Sequence, residues 1–225
     1  MSIAQHIANI QAQLQGSQAK LIAVTKTRSI AELQATYEAG IKDFGENRVQ
    51  EMVEKQAQLA SDIRWHQIGH LQTNKVKYIA PFVHLIHSVD SFRLLKEIDS
   101  QGKKNGRIIS CLFQMYIAQE ESKFGLSKEE LLEILASPEF ASLSHIRIQG
   151  LMGMASFTEN DNQIAKEFSS LKELFDELQG QKIAYQTGLV EWKELSMGMS
   201  GDYLLAAKLG STMVRVGSAI YGARS

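Results

Sequence analysis

The sequence predicts a (β/α)8 barrel of the TIM type, a closed α/β fold with an extra N-terminal helix. Three observations predict it. Eight short apolar runs alternate with stretches of helical periodicity along the 225 residues. Strict alternation implies parallel strands joined by helical crossovers. Eight such units, with no linker, low-complexity segment or short-period repeat between them, suit closure into a barrel. An open doubly wound sheet is the alternative, because periodicity does not show closure. The expected domain is residues 1–225 as one barrel.

The elements follow in order. Ile3, Ile7, Ile10 and Leu14 recur at helical spacing and open the chain with an amphipathic helix. LIAVTK, Leu21 to Lys26, is a short buried strand. Ile30, Leu33 and Tyr37 mark the next helix, with Gly40 suited to its C-terminal stop. Further strands are predicted at Asp43–Glu46, Arg64–Gly69, Leu85–Val89, Ile108–Ile117, Ile146–Met154, Glu194–Met197 and Met213–Gly217. Ser127 followed by Glu130 forms a capping box before Leu131. Ile164, Phe168, Leu171, Leu174 and Leu178 form an apolar helical stripe. The two prolines, Pro81 and Pro138, fall between elements.

Composition excludes several function classes. With 44% apolar residues the chain can bury a sizeable core. A net charge of -1 leaves no footprint for nucleic acid or anionic lipid. Cys111 is the only cysteine, so no internal disulfide forms. The first residues lack the pattern of a signal peptide, and no apolar run is long enough to cross a bilayer. A cytoplasmic protein is expected.

Lys26 follows an apolar strand and should emerge at the C-terminal rim, where barrels of this type carry their sites. Desolvation there would favour the neutral amine that forms Schiff bases. The plainer alternative is a lysine leaving the strand for solvent. MGMSGD, Met197 to Asp202, and VRVGSAIYG, Val214 to Gly222, follow strands 7 and 8, where the fold commonly binds phosphate. Ser200 would cap the intervening helix. Gly217 admits close approach, and N–H groups of Gly217 and Ser218 would face the pocket. An ordinary cap and a packing glycine are the alternative. Alternation places Arg215 on the same strand face as Gly217, pointing inward. It either forms a core ion pair or donates to the ring nitrogen of a pyridine cofactor, which weakens the electron sink.

Asn47, in FGENRVQE, either caps a helix or contacts a ligand. His66 and His70 lack a third ligand at suitable spacing, so no metal is expected. Cys111 reads as inert core, and Met152, Met154, Met197 and Met199 as barrel packing.

AVTKT, FGENRVQE, WHQIGHLQTNK, IHSVDS, EESKFG, GLMGMA, ELSMGMSGD and MVRVGSAIYG occur in this order. From about Leu21 onward the chain resembles the pyridoxal phosphate homeostasis protein family. That family is similar to the barrel domains of alanine racemase and ornithine decarboxylase. The resemblance implies pyridoxal 5'-phosphate (PLP) held as a Schiff base on Lys26. It implies phosphate contacts from Ser200, Gly217 and Ser218, Arg215 near the pyridine nitrogen, and Asn47 at the cofactor rim. Two positions depart from the family pattern. Ser218 replaces the usual threonine and keeps a hydroxyl; Met115 and Tyr116 replace a frequent Val-Asn, so no contact is carried over to Tyr116.

The resemblance implies a role in intracellular PLP (vitamin B6) and amino-acid homeostasis, with PLP-dependent apoenzymes as partners and no efficient catalysis. No nucleic-acid or membrane partner is expected, and a monomer is. The chain ends just after strand 8, so the second domain that supplies a racemase's other base is expected to be absent. Two alternatives stand: a weak amino-acid racemase using Lys26 as its one base, and a Schiff-base aldolase whose phosphate site serves substrate. Tyr116 and His70 are the nearest candidates for a rim acid or base, without an evident partner in sequence.

Overall fold

A computed structural model describes residues 1–118, 124–180 and 188–222. Lys123, and most of the EESKFG motif with it, lies outside them. The strands are β1 (Lys20–Val24), β2 (Asp43–Glu46), β3 (Arg64–Gln67), β4 (Leu85–Val89), β5 (Ile109–Met115), β6 (Ile146–Gly153), β7 (Val190–Met199) and β8 (Met213–Val216). They pair in parallel in sequence order, and β8 closes on β1 with Ile22 opposite Arg215 and Ala23 opposite Val216. The open sheet is thereby excluded.

The helices lie between the strands. They are α1 (Ile3–Leu14), α2 (Ile30–Glu38), α3 (Val49–Gln56), α4 (Val76–Ile79), α5 (Phe92–Lys104), α6 (Lys128–Ala136), α7 (Pro138–Ala141), α8 (Asp161–Gly180), α9 (Tyr203–Lys208) and α10 (Ser218–Tyr221). Ser127 and Glu130 form the expected capping box. Two further boxes, Ser2 with Gln5 and Ser29 with Glu32, start α1 and α2. Pro138 opens α7 at its first turn, where a missing N–H costs nothing. α1 buries Ile7, Ile10 and Leu14, and its His6 Nδ1 donates to the Ile220 carbonyl at 2.7 Å. The helix outside the alternation thus braces α10, the last turn of the barrel.

Inside the barrel the strands contribute a small apolar layer of Ile22, Leu85, Leu112, Met152 and Met213. The larger core lies between strands and helices. Alternating strand residues explain both. Strand ends differ from expectation by a few residues: β1 stops at Val24, so Lys26 sits in the following turn, and β7 begins at Val190 rather than Glu194. No helix among the described residues is long and apolar enough to cross a membrane.

Candidate functional site

A cavity of about 820 Å³ opens at the C-terminal ends of the strands. Lys26, Asn47, Ser200, Arg215, Gly217 and Ser218 all line it. Six positions between Lys26 and Ser218 therefore meet at one concave surface, of the size that holds a small ligand.

Lys26 is delivered by β1 and a turn whose next residue, Thr27, has φ 63°. A β-branched residue in the left-handed region is strained and persists only where its surroundings hold it. Here they do. The Thr27 N–H donates to Glu51 Oε1 at 2.5 Å. Lys55 Nζ donates to the Thr25 carbonyl at 2.7 Å, to Glu46 Oε1 at 2.8 Å and to Glu51 Oε1 at 2.6 Å. Thr25 Oγ1 adds a 2.5 Å bond to Glu46 Oε1. Both neighbours of Lys26 are thus clamped to β2 and α3. Burial pushes the Glu46 carboxyl up, against the bonds from Lys55 and Thr25. Nothing in the sequence pattern flagged Lys55; the i, i+4 spacing of Glu51 and Lys55 was the available signal.

Arg215 is buried, and Nη1 donates to the Ser196 carbonyl at 2.8 Å and to Ser196 Oγ at 2.6 Å. Nη2 donates to the Gly153 carbonyl at 3.0 Å. Burial lowers its pKa to about 10, so it remains a cation at neutral pH. A direct core ion pair, the plainer expectation, is not what these partners form.

Ser200 does not cap α9. The cap position is Asp202, whose Oδ1 takes the Met199 N–H at 2.5 Å. Ser200 Oγ instead accepts from the Gly217 N–H at 3.1 Å and the Ala219 N–H at 3.4 Å. The Gly217 N–H, one of the expected donors, is joined on this oxygen by the Ala219 N–H, because the chain turns into α10 at Gly217. They meet on an oxygen at the cavity wall, which suits an anionic oxygen in the same place. Gly217 packs closely on β1: a Cβ would sit 3.2 Å from Val24 Cβ and 3.3 Å from the Val24 carbonyl oxygen.

Asn47 does not cap α3, whose cap position is Arg48. Its backbone carbonyl accepts from Gln67 Nε2 at 3.0 Å, and Gly69 lets the two loops meet, since a Cβ there would lie 2.7 Å from the Asn47 carbonyl oxygen. Met199 is partly exposed at the mouth rather than packed inside. Tyr116 is partly exposed and is not among the residues lining this cavity. Beyond β6, the Ser156 N–H and hydroxyl bond Glu167 at 2.6 and 2.7 Å and fix a wall of the cavity.

His66 and His70 part company. His70 lies 3.0 Å from Asp90 and stacks on Phe124, so it has the partner that sequence did not reveal. His66 points into the barrel, between Asp43 and His87. Asp43, His66 and His84 place ligand-type atoms within 4.8 Å at the N-terminal rim, with Arg64 on both Asp43 oxygens. Cys111 is buried, and burial pushes its thiol pKa up, as inert core requires.

The alanine racemase N-terminal domain model matches residues 1–225. The pyridoxal phosphate homeostasis protein of Aquifex aeolicus is 39% identical over 208 residues, covering 92% of this chain and 87% of that one. The chain belongs to the pyridoxal phosphate homeostasis protein family. The member from Schizosaccharomyces pombe is 33% identical over 220 residues, covering 96% and 89% of the two chains. Among solved structures, PipY of Synechococcus elongatus is 34% identical, covering 98% of this chain and all of that one. Its TM-scores are 0.89 without PLP and 0.86 with PLP bound. Alanine racemase of Bartonella henselae, 15% identical with a TM-score of 0.71 over 58% of its length, shares the barrel fold.

Proposed function

We propose that residues 1–225 form one PLP-binding barrel, a PLP and amino-acid homeostasis protein that holds the cofactor without turning substrates over efficiently. The observation that carries this is the cavity that unites Lys26, Arg215 and the Ser200–Gly217 oxygen site. PipY, its family relative, has been solved with PLP bound. The residues fit the cofactor in kind: an amine for its aldehyde, backbone donors for its phosphate, a guanidinium for its ring nitrogen.

In this reading Lys26 Nζ holds the aldehyde carbon, and the clamp on Thr25 and Thr27 fixes its approach. The Gly217 and Ala219 N–H groups, with the Ser200 and Ser218 hydroxyls, take the phosphate. Asn47 borders the ring. Bound PLP supplies an electron sink. Arg215, a cation at neutral pH, disfavours a proton on the ring nitrogen and keeps that sink weak. The family relatives carry homeostasis names rather than enzyme names. PLP-dependent apoenzymes in the cytoplasm are the proposed recipients.

Two measurements test this. After borohydride reduction, mass spectrometry should find the phosphopyridoxyl group on the peptide carrying Lys26; finding it mainly on Lys75 or Lys123 refutes the assignment. In deuterated water, PLP-loaded protein should exchange the α-protons of L- and D-amino acids far more slowly than about 1 per second. Exchange at or above that rate would establish a racemase-like enzyme instead.

A further inference from the structure

A chain of side chains crosses the barrel interior from the cofactor end to the opposite rim. Arg215 Nη1 lies 2.6 Å from Ser196 Oγ, Ser196 Oγ 2.9 Å from His87 Nδ1, and His87 Nε2 2.9 Å from His66 Nδ1. His66 Nε2 lies 3.0 Å from Asp43 Oδ1. Ser196 and His87 are wholly inaccessible, His66 is 1% exposed and Arg215 4%. Burying four polar side chains in series is costly unless every donor meets an acceptor.

The ends decide the direction. A guanidinium only donates, and a carboxylate only accepts. Arg64 Nε donates to Asp43 Oδ1 at 2.6 Å and Arg64 Nη2 to Asp43 Oδ2, so the carboxylate already holds one cation. Taken as a neutral ring, His66 carries its proton on Nε2, toward Asp43, because the carboxylate only accepts. Its Nδ1 must then accept from His87 Nε2–H. His87 Nδ1 must in turn accept the Ser196 hydroxyl proton, and Ser196 Oγ receives Arg215. Burial, above all, keeps His87 neutral. Every proton points from Arg215 toward Asp43.

We infer that Ser196, His87, His66 and Asp43 form a one-way donor chain that positions Arg215 from the far end of the barrel. Arg215 itself bonds to two carbonyls and a hydroxyl, all neutral. The chain aligns dipoles that favour the cation, beside the attraction of Asp202, a carboxylate that lines the same cavity. These four are positioning residues, and their connection to the cofactor rests on the proposed role of Arg215.

The first test needs no cofactor. Long-range proton–nitrogen correlation spectra of ¹⁵N-histidine-labelled protein near pH 7.5 should show His66 and His87 both neutral and both protonated at Nε2. Signals are assigned with His66→Gln and His87→Gln. An Nδ1–H form or an imidazolium at either residue overturns the one-way chain. The second test uses PLP-loaded protein. Ser196→Ala cuts the link and should weaken PLP binding by about tenfold, as for one lost hydrogen bond to a charged group, and move the absorption band of the bound cofactor. An unchanged affinity and band in Ser196→Ala, with a changed band in Arg215→Ala, overturns the connection to the cofactor. If Arg215→Ala also leaves the band unchanged, the failure lies in the ring-nitrogen role of Arg215, and the inference falls with it.

Discussion

At Gly217 a single hydrogen separates the loop after β8 from strand β1. An added Cβ would press on Val24 at 3.2–3.3 Å, and the branched methyls of valine would reach further into the wall or the cavity. Gly217→Val should therefore lower PLP affinity by at least about tenfold with the barrel intact, measured by PLP titration alongside circular dichroism. Unchanged affinity would move the phosphate elsewhere. Ser200→Ala acts in another way. It removes the acceptor of two N–H groups in the ligand-free protein, at a cost of about 1 kcal/mol. Backbone donors remain, so PLP affinity should weaken only modestly, by PLP titration, and the stabilisation by PLP against urea should follow that affinity.

At the scale of elements, the ends of β1, β2 and α3 are joined by one buried cation. Lys55 is 6% exposed and ties Glu46, Glu51 and the Thr25 carbonyl together. Lys55→Met leaves Glu46 as an uncompensated buried carboxylate. It should lose about 3 kcal/mol in urea unfolding and loosen the turn that presents Lys26. A loss within about 0.5 kcal/mol would show that the clamp is dispensable. Strands β6 and β7 meet with even less tolerance. Gly150 has φ 152°, and a Cβ there would come within 1.7 Å of the Glu194 carbonyl oxygen, at an irregularity in the β6 register. Gly150→Ala must part the strands, and is expected to yield little soluble protein.

Across the whole molecule, the N-terminal rim couples stability to acid. Burial alone would raise the Asp43 carboxyl, but the bonds from Arg64 and His66 outweigh it and hold the group well below its ordinary 3.8. A carboxyl lowered by folding stabilises the fold above its unfolded pKa. That contribution is lost as pH falls below about 3.8 toward the folded value. Asp43→Asn should thus be less stable than the parent at pH 7, with the difference shrinking near roughly pH 3. A difference independent of pH would show that the contact acts through shape rather than charge.

The alternation of apolar runs and helical patterns already determined parallel strands joined by helices, because a strand needs a crossover to return in the same direction. The position of Lys26 after LIAVTK and the glycine-containing loops after β7 and β8 likewise placed the site at one rim. Short-range chemistry sufficed there, since strand direction fixes which end a residue leaves. Only the tertiary structure decided closure of β8 on β1, the Ser200 hydroxyl as acceptor rather than helix cap, and the partners of His66, His70 and Arg215. These contacts join residues as distant as Ala23 and Val216 across the closure, and His87 and Ser196, 109 positions apart, across the interior. Their pairing depends on which strands become neighbours across the barrel interior, and no local periodicity encodes that.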